Sequence, residues 1–146
     1  MLGLIFLALL CGAILPIQAG INAKMGDAVN DPIYGALISF VVGLIGLAIY
    51  AVVTKVDFAT ISNLRTADWT VWTGGLMGAF YVVATIILVP KIGAALTFGL
   101  IVAGQMLVSV ILDHYGLLGV PIQPINWQRV LGILMLIGGF LLIRNF

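Results

Sequence analysis

Charge is what this chain of 146 residues most lacks: Asp, Glu, Lys and Arg together make 8% of it, and glutamate is absent. The five aspartates, Asp27, Asp31, Asp57, Asp68 and Asp113, all fall between apolar runs or at their ends. Cysteine and histidine occur once each, as Cys11 and His114. A lone cysteine excludes an internal disulfide, and a lone histidine with no thiol nearby offers no metal-ligand set. No nucleophile stands with a base and an orienting group, so neither an enzyme nor a cofactor is expected. A net charge of +1 supplies no basic surface for nucleic acid.

What remains is apolar. Hydrophobic residues reach 63% and the mean hydropathy is +1.28, far outside soluble usage. Five apolar runs, at about 2–21, 32–53, 70–89, 92–112 and 127–143, each approach the ~20 residues that carry a helix across a ~30 Å hydrocarbon core. The expected fold is a single all-α membrane domain of five transmembrane helices, with the lipid bilayer as its surroundings.

In the first run, Pro16 lacks an N–H and crowds the carbonyl of Gly12, so a kink is predicted there. Freed carbonyls in lipid are tolerated where they are packed or line a cavity. Gln18 and Asn22 follow, four residues apart and on one helix face. They suit a pair of amides that hydrogen-bond a solute, or equally a pair that bonds a neighbouring helix. The run lacks the basic flank of a cleaved signal peptide and is expected to stay as a helix.

Asp31-Pro32 reads as an N-cap with proline in the first turn. The second helix carries Gly35, Ser39 and Gly43 at spacing four, a small-residue stripe suited to close helix packing. The connection from Thr54 to Asp68 holds Phe58, Ile61 and Leu64 beside Lys55 and Arg65, which predicts a short interfacial turn of helix. Trp69 and Trp72 fit an aromatic belt at the membrane surface, with a cation-binding cage as the other reading.

The third and fourth runs are separated by Pro90-Lys91, predicting a tight transmembrane hairpin. Gly74, Gly75, Gly78 and Ala79 crowd the first of them, followed by Phe80 and Tyr81. Gly93, Gly99, Ala103 and Gly104 crowd the second, followed by Gln105, the deepest strongly polar side chain in the sequence. Gln105 serves either a cavity or helix association, and Gly104 leaves space beside it. Asp113 and His114 read as a solvated helix end before an irregular loop with Pro121 and Pro124. Arg129 and Arg144 flank the last span, where they can snorkel.

Five spans put Lys55, Arg65 and Arg129 on one side of the membrane and Lys24, Lys91 and Arg144 on the other. Orientation follows an excess of Lys and Arg on the cytoplasmic side. Here the counts tie at three each, which predicts insertion in both orientations and an antiparallel homodimer, an inverted repeat made by assembly.

The run GGLMGAFYVVATIILVPKIGAALTFGLIVAGQMLVSVILDHYGLLG, together with PIQAGINAKMG in the first segment, resembles the five-span YdcZ-type family of the drug/metabolite transporter superfamily. The resemblance implies a bacterial inner-membrane exporter or permease of small molecules, built as a half unit that pairs. The related small multidrug-resistance proteins resemble proton antiporters with a membrane-embedded glutamate in the first helix, and this chain has none. A neutral, zwitterionic or anionic solute, bound by Gln18, Asn22, Gln105 and Tyr81, is therefore expected in preference to a cationic drug. A small ion channel and a non-transporting membrane subunit are the competing readings.

Overall fold

The computed structural model describes residues 1–145. Five α-helices follow one another: α1 (Leu2–Ala28), α2 (Pro32–Val53), α3 (Thr73–Ile92), α4 (Ala94–Tyr115) and α5 (Trp127–Asn145). Each lies in a segment long and apolar enough to cross a membrane, and no strand occurs among the described residues. The expected all-helical membrane architecture is thus met. The chain divides into two compact units, one from Met1 to Lys91 and one from Ile92 onward.

In the first unit, α1 runs seven residues past the expected end, to Ala28, and carries Pro16 without interruption. Lys24 and Asp27 therefore sit on its last turns. Good helix formers and the absence of glycine between Ile21 and Met25 allow the extension. Asp31 then caps α2: its Oδ1 accepts the Ile33 N–H at 2.8 Å, with Pro32 in the first helical position.

α1 and α2 approach closely because both present glycine at the crossing. A Cβ added at Gly35 would stand 2.9 Å from Gly26 N and 3.0 Å from both Gly26 Cα and the Asn22 carbonyl oxygen. Only hydrogen fits there. Ala19, Ala23 and Ala36 are buried at the same crossing. α3 is held off by contrast, with no Cα within 8 Å of a Cα of α1 or α2. Ile86, which is buried, spans the gap with its side chain.

The α2–α3 connection is formed by two 3-10 segments, Phe58–Thr66 and Trp69–Trp72. Asp57 and Asp68 cap them, accepting the N–H groups of Ala59 and Thr70 at 2.9 Å each. The backbone N–H and the hydroxyl of Thr70 hold the Asp68 carboxyl below the usual aspartate range. Trp69 and Trp72 stay exposed. Pro90 and Lys91 lie inside the last turn of α3, and the break falls at Gly93. There φ is +81°, a conformation that residues with a Cβ rarely adopt.

In the second unit, Gly99 of α4 provides the flat surface against which the buried Phe140 of α5 lies; any side chain at 99 would overlap that ring. α4 continues through Asp113 and His114 to Tyr115, and Gly116 ends it in the left-handed conformation. The chain beyond is tied back to the helix. Arg129 Nη2 donates to Asp113 Oδ2 at 3.1 Å and to Gln123 Oε1, and Nη1 donates to the Gln123 carbonyl at 3.0 Å. His114 Nδ1 accepts the Ile125 N–H at 3.1 Å. Asp113 and His114 thus order the loop, where a solvated helix end was expected.

Candidate functional site

Two cavities of the first unit are lined in part by α1, which contributes one row of residues to both. Gln18 lines the deeper cavity with Ser39, Phe40, Gly43, Leu44 and Leu47 of α2 and Val82 of α3; its volume is about 350 Å³. Gln18 precedes the end of α1 by ten positions and Val82 precedes the end of α3 by ten. At 1.5 Å per residue each is ~15 Å from its helix end, half the thickness of a bilayer core. This cavity is therefore at mid-membrane depth.

Its chemistry is that of an apolar slot with two uncharged polar groups, the Gln18 amide and the Ser39 hydroxyl. An amide offers two donors and an acceptor, and a hydroxyl offers one donor and two acceptor sites. In a region without bulk water, such groups select a solute that can reciprocate their hydrogen bonds. No charged side chain lines the cavity.

The second cavity, of about 560 Å³, opens where α1 and α3 end and α2 begins. Gly26, Asp27, Asn30, Asp31 and Pro32 line it from one side, and Ile86, Ile87, Pro90 and Lys91 from the other. Between the two cavities stands the α1–α2 crossing. Asn22, 4% exposed, lies one turn from Gln18 on one side and one turn from Gly26 on the other. Ile86, also 4% exposed, is one turn beyond Val82 on α3.

The four residues expected to form a site are thus distributed as follows. Gln18 lines the mid-membrane cavity, and Asn22 is buried beside it on the same face of α1. Tyr81 immediately precedes the cavity residue Val82, and its hydroxyl is buried with no hydrogen-bond partner among the described residues. Gln105 belongs to the second unit, near the midpoint of α4, and is exposed.

Ser39 and Gly43 had been read as packing positions only, yet both line the deeper cavity. The signal was present in their spacing of four, which puts a hydroxyl on the same stripe as two glycines; what it opens onto depends on where α3 stands. Asp27, Asp31 and Lys91 had been read as connection residues. Their convergence follows from three helix ends meeting, which no local pattern records. In the second unit, a cavity of about 300 Å³ lies between α4 and α5, lined by Ser109, Gly132 and apolar residues and ended by the Asp113–Arg129 pair. Gln105 does not line it.

Comparison with known proteins yields one family: that described as "Putative inner membrane exporter, YdcZ" matches residues 3–142. A stretch of 85 residues is 32% identical to the inner membrane protein YdcZ of Escherichia coli (strain K12), covering 58% of this chain and 55% of that protein. The chain thus matches about half the length of this relative. No solved structure matches it.

Proposed function

The chain belongs to the YdcZ family and is a multi-pass protein of the bacterial inner membrane, and from that premise we propose that it is a secondary transporter that exports a small solute. The mid-membrane cavity carries this reading. Transporter sites lie near the bilayer midplane, beside interrupted or proline-containing helices. Gln18 lines a cavity at that depth, two residues after Pro16.

Gln18, Asn22 and Tyr81 are the proposed site residues of one copy, and Gln105 of the inverted partner copy is the proposed contribution of the dimer. Amides, a phenol and a serine hydroxyl bind through hydrogen bonds, not ionic charge. This favours a neutral solute over a cation, and a zwitterionic or anionic solute would draw on helix ends or lysine for its charged groups. No acidic residue lines the cavity at Gln18, which argues against proton exchange at a carboxylate within it. The tie of three positive residues on each side supports a dual-topology homodimer, in which two inverted copies alternate access to the two faces.

Flux in reconstituted vesicles tests the reading. Saturable efflux of a small neutral solute, lost in Gln18→Leu while the protein remains folded and of unchanged oligomeric state, is the expected result. High-rate ion current through the same vesicles would replace the transporter with a channel. Loss of the oligomer in Gln105→Leu would assign that residue to helix association instead of the site.

A further inference from the structure

The surface cavity of the first unit has a chemistry different from that of the cavity at Gln18. Asp27, Asp31 and Lys91 all line it, yet no ion pair within 4.0 Å joins Lys91 to either aspartate. Opposite charges on the two sides of one cavity that do not pair directly leave room for something between them. Asp31 is already engaged, since its Oδ1 accepts the Ile33 N–H as the cap of α2. The charges left without such a partner are the Asp27 carboxylate and the Lys91 ammonium.

Two further features fit the same pattern. The C-terminal ends of α1 and α3 both reach this cavity, and their unpaired carbonyls favour a positive group nearby. Lys91 sits in the last turn of α3 and offsets that field locally. Ile86, Ile87, Pro32 and Pro90 supply apolar wall between the charged positions.

We propose that this cavity is a second binding site, distinct from the one at mid-membrane depth, and that it takes a small zwitterion with an apolar body: its ammonium at Asp27, its carboxylate at Lys91 and its apolar part against Ile86, Ile87 and Pro90. A ligand carrying one charge satisfies only one end and leaves the other unmatched. The ion pairs are charge-assisted hydrogen bonds at a half-open site, strong enough to select by charge but screened by salt.

The test is equilibrium binding of three related probes to the detergent-solubilised protein: L-leucine, L-leucine methyl ester and N-acetyl-L-leucine, at low ionic strength. Leucine is expected to bind at least about tenfold more tightly than either derivative, since each derivative lacks one charged contact. Lys91→Gln should weaken leucine about tenfold and leave the ester unaffected, while Asp27→Asn should weaken leucine and leave the N-acetyl compound unaffected. Lys91→Arg keeps the charge and should retain leucine binding, which separates a charge effect from misfolding. An ester that binds as tightly as leucine, leucine binding indifferent to both charge removals, or no leucine binding at all overturns the proposal. Binding is read without transport, so a failure here leaves the flux result standing, and an absence of flux leaves this site standing.

Discussion

Ile86 of α3 meets Gly26 of α1: a Cβ built at Gly26 would stand 3.2 Å from Ile86 Cγ2 and 3.3 Å from Pro32 Cα. That contact lies between the two cavities, since Val82 lines the first and Ile86, one turn further along α3, lines the second. α3 keeps its backbone away from α1 and α2, so the contact across that gap is made by a side chain. Ile86→Ala should therefore join the two spaces. With Cys11, the one native cysteine, replaced by alanine and Ser39 by cysteine, a water-soluble maleimide should label position 39 several-fold faster once Ile86 is shortened. An unchanged labelling rate would remove Ile86 from this role.

The α1–α2 crossing should tolerate no enlargement. At Gly35 the neighbours of an added methyl are backbone atoms, at 2.9 and 3.0 Å, so relief requires the helices to part. Gly35→Ala is expected to destabilise the protein by about 1–3 kcal/mol, the usual cost of overpacking. Gly43→Ala is the matched control, because nothing lies within 4 Å of a Cβ there. Denaturation in mixed micelles of the two variants side by side should separate them clearly.

The five helices and the close crossing were legible from the sequence for definite reasons. Runs of apolar residues interrupted by few charges leave little alternative to spanning helices, and Asp31-Pro32 marks the start of α2 by the chemistry of its missing and capped N–H groups. The spacing of Gly35, Ser39 and Gly43 pointed to close packing, and Gly35 does meet Gly26. The cavities were not legible in the same way. Whether Ser39 is packed or lines a space depends on α3 standing back from α2, a long-range distance with no signature in either helix. The Asp113–Arg129 pair was hidden for a related reason: its partners are sixteen positions apart and are joined only because α4 extends to Tyr115 and α5 starts at Trp127.

That pair organises the loop between α4 and α5. Arg129 reaches both Asp113 and Gln123, and His114 receives the Ile125 N–H, so four side chains tether the chain from 117 to 126. With side chains 25% and 33% exposed, the ion pair contributes about 1 kcal/mol or less in stability. Its larger effect is on local order. Arg129→Ala should raise hydrogen exchange at the Gln123 and Ile125 amides well before the global stability changes, and Arg129→Lys, with one charge but no fork, should fall between it and the native protein.

Asp68 gives a pH dependence of known sign. Its carboxyl is held below the usual aspartate range by the N–H and hydroxyl of Thr70, so the capped form is favoured when the group is ionised. The contribution is therefore complete above the unfolded-state value and is lost as pH falls through the lower folded-state value. Protection of the Thr70 amide, taken relative to the intrinsic exchange rate at each pH, should persist down to the acid end of the carboxylate range and then fall. Asp68→Ala should lack that protection at every pH, and a native protection that is already lost near neutrality would contradict the assignment.

The balance of positive residues makes orientation the most sensitive property of the proposed dimer. Lys55, Arg65 and Arg129 oppose Lys24, Lys91 and Arg144 across five spans, and the observed helices leave each of these near a helix end or in a connection. A tie of three against three is tipped by one charge, because retention of Lys and Arg in the cytoplasm is what fixes topology. A C-terminal reporter that is active only outside the cytoplasm, paired with one active only inside, should find the native C-terminus on both sides in comparable amounts. Lys55→Gln should drive the side bearing Lys24, Lys91 and Arg144 into the cytoplasm, and Lys24→Gln should do the reverse. If each variant alone loses flux and the two expressed together regain it, the working unit contains one copy of each orientation. Full activity in either variant alone would show that parallel copies suffice and would remove the inverted pair from the mechanism.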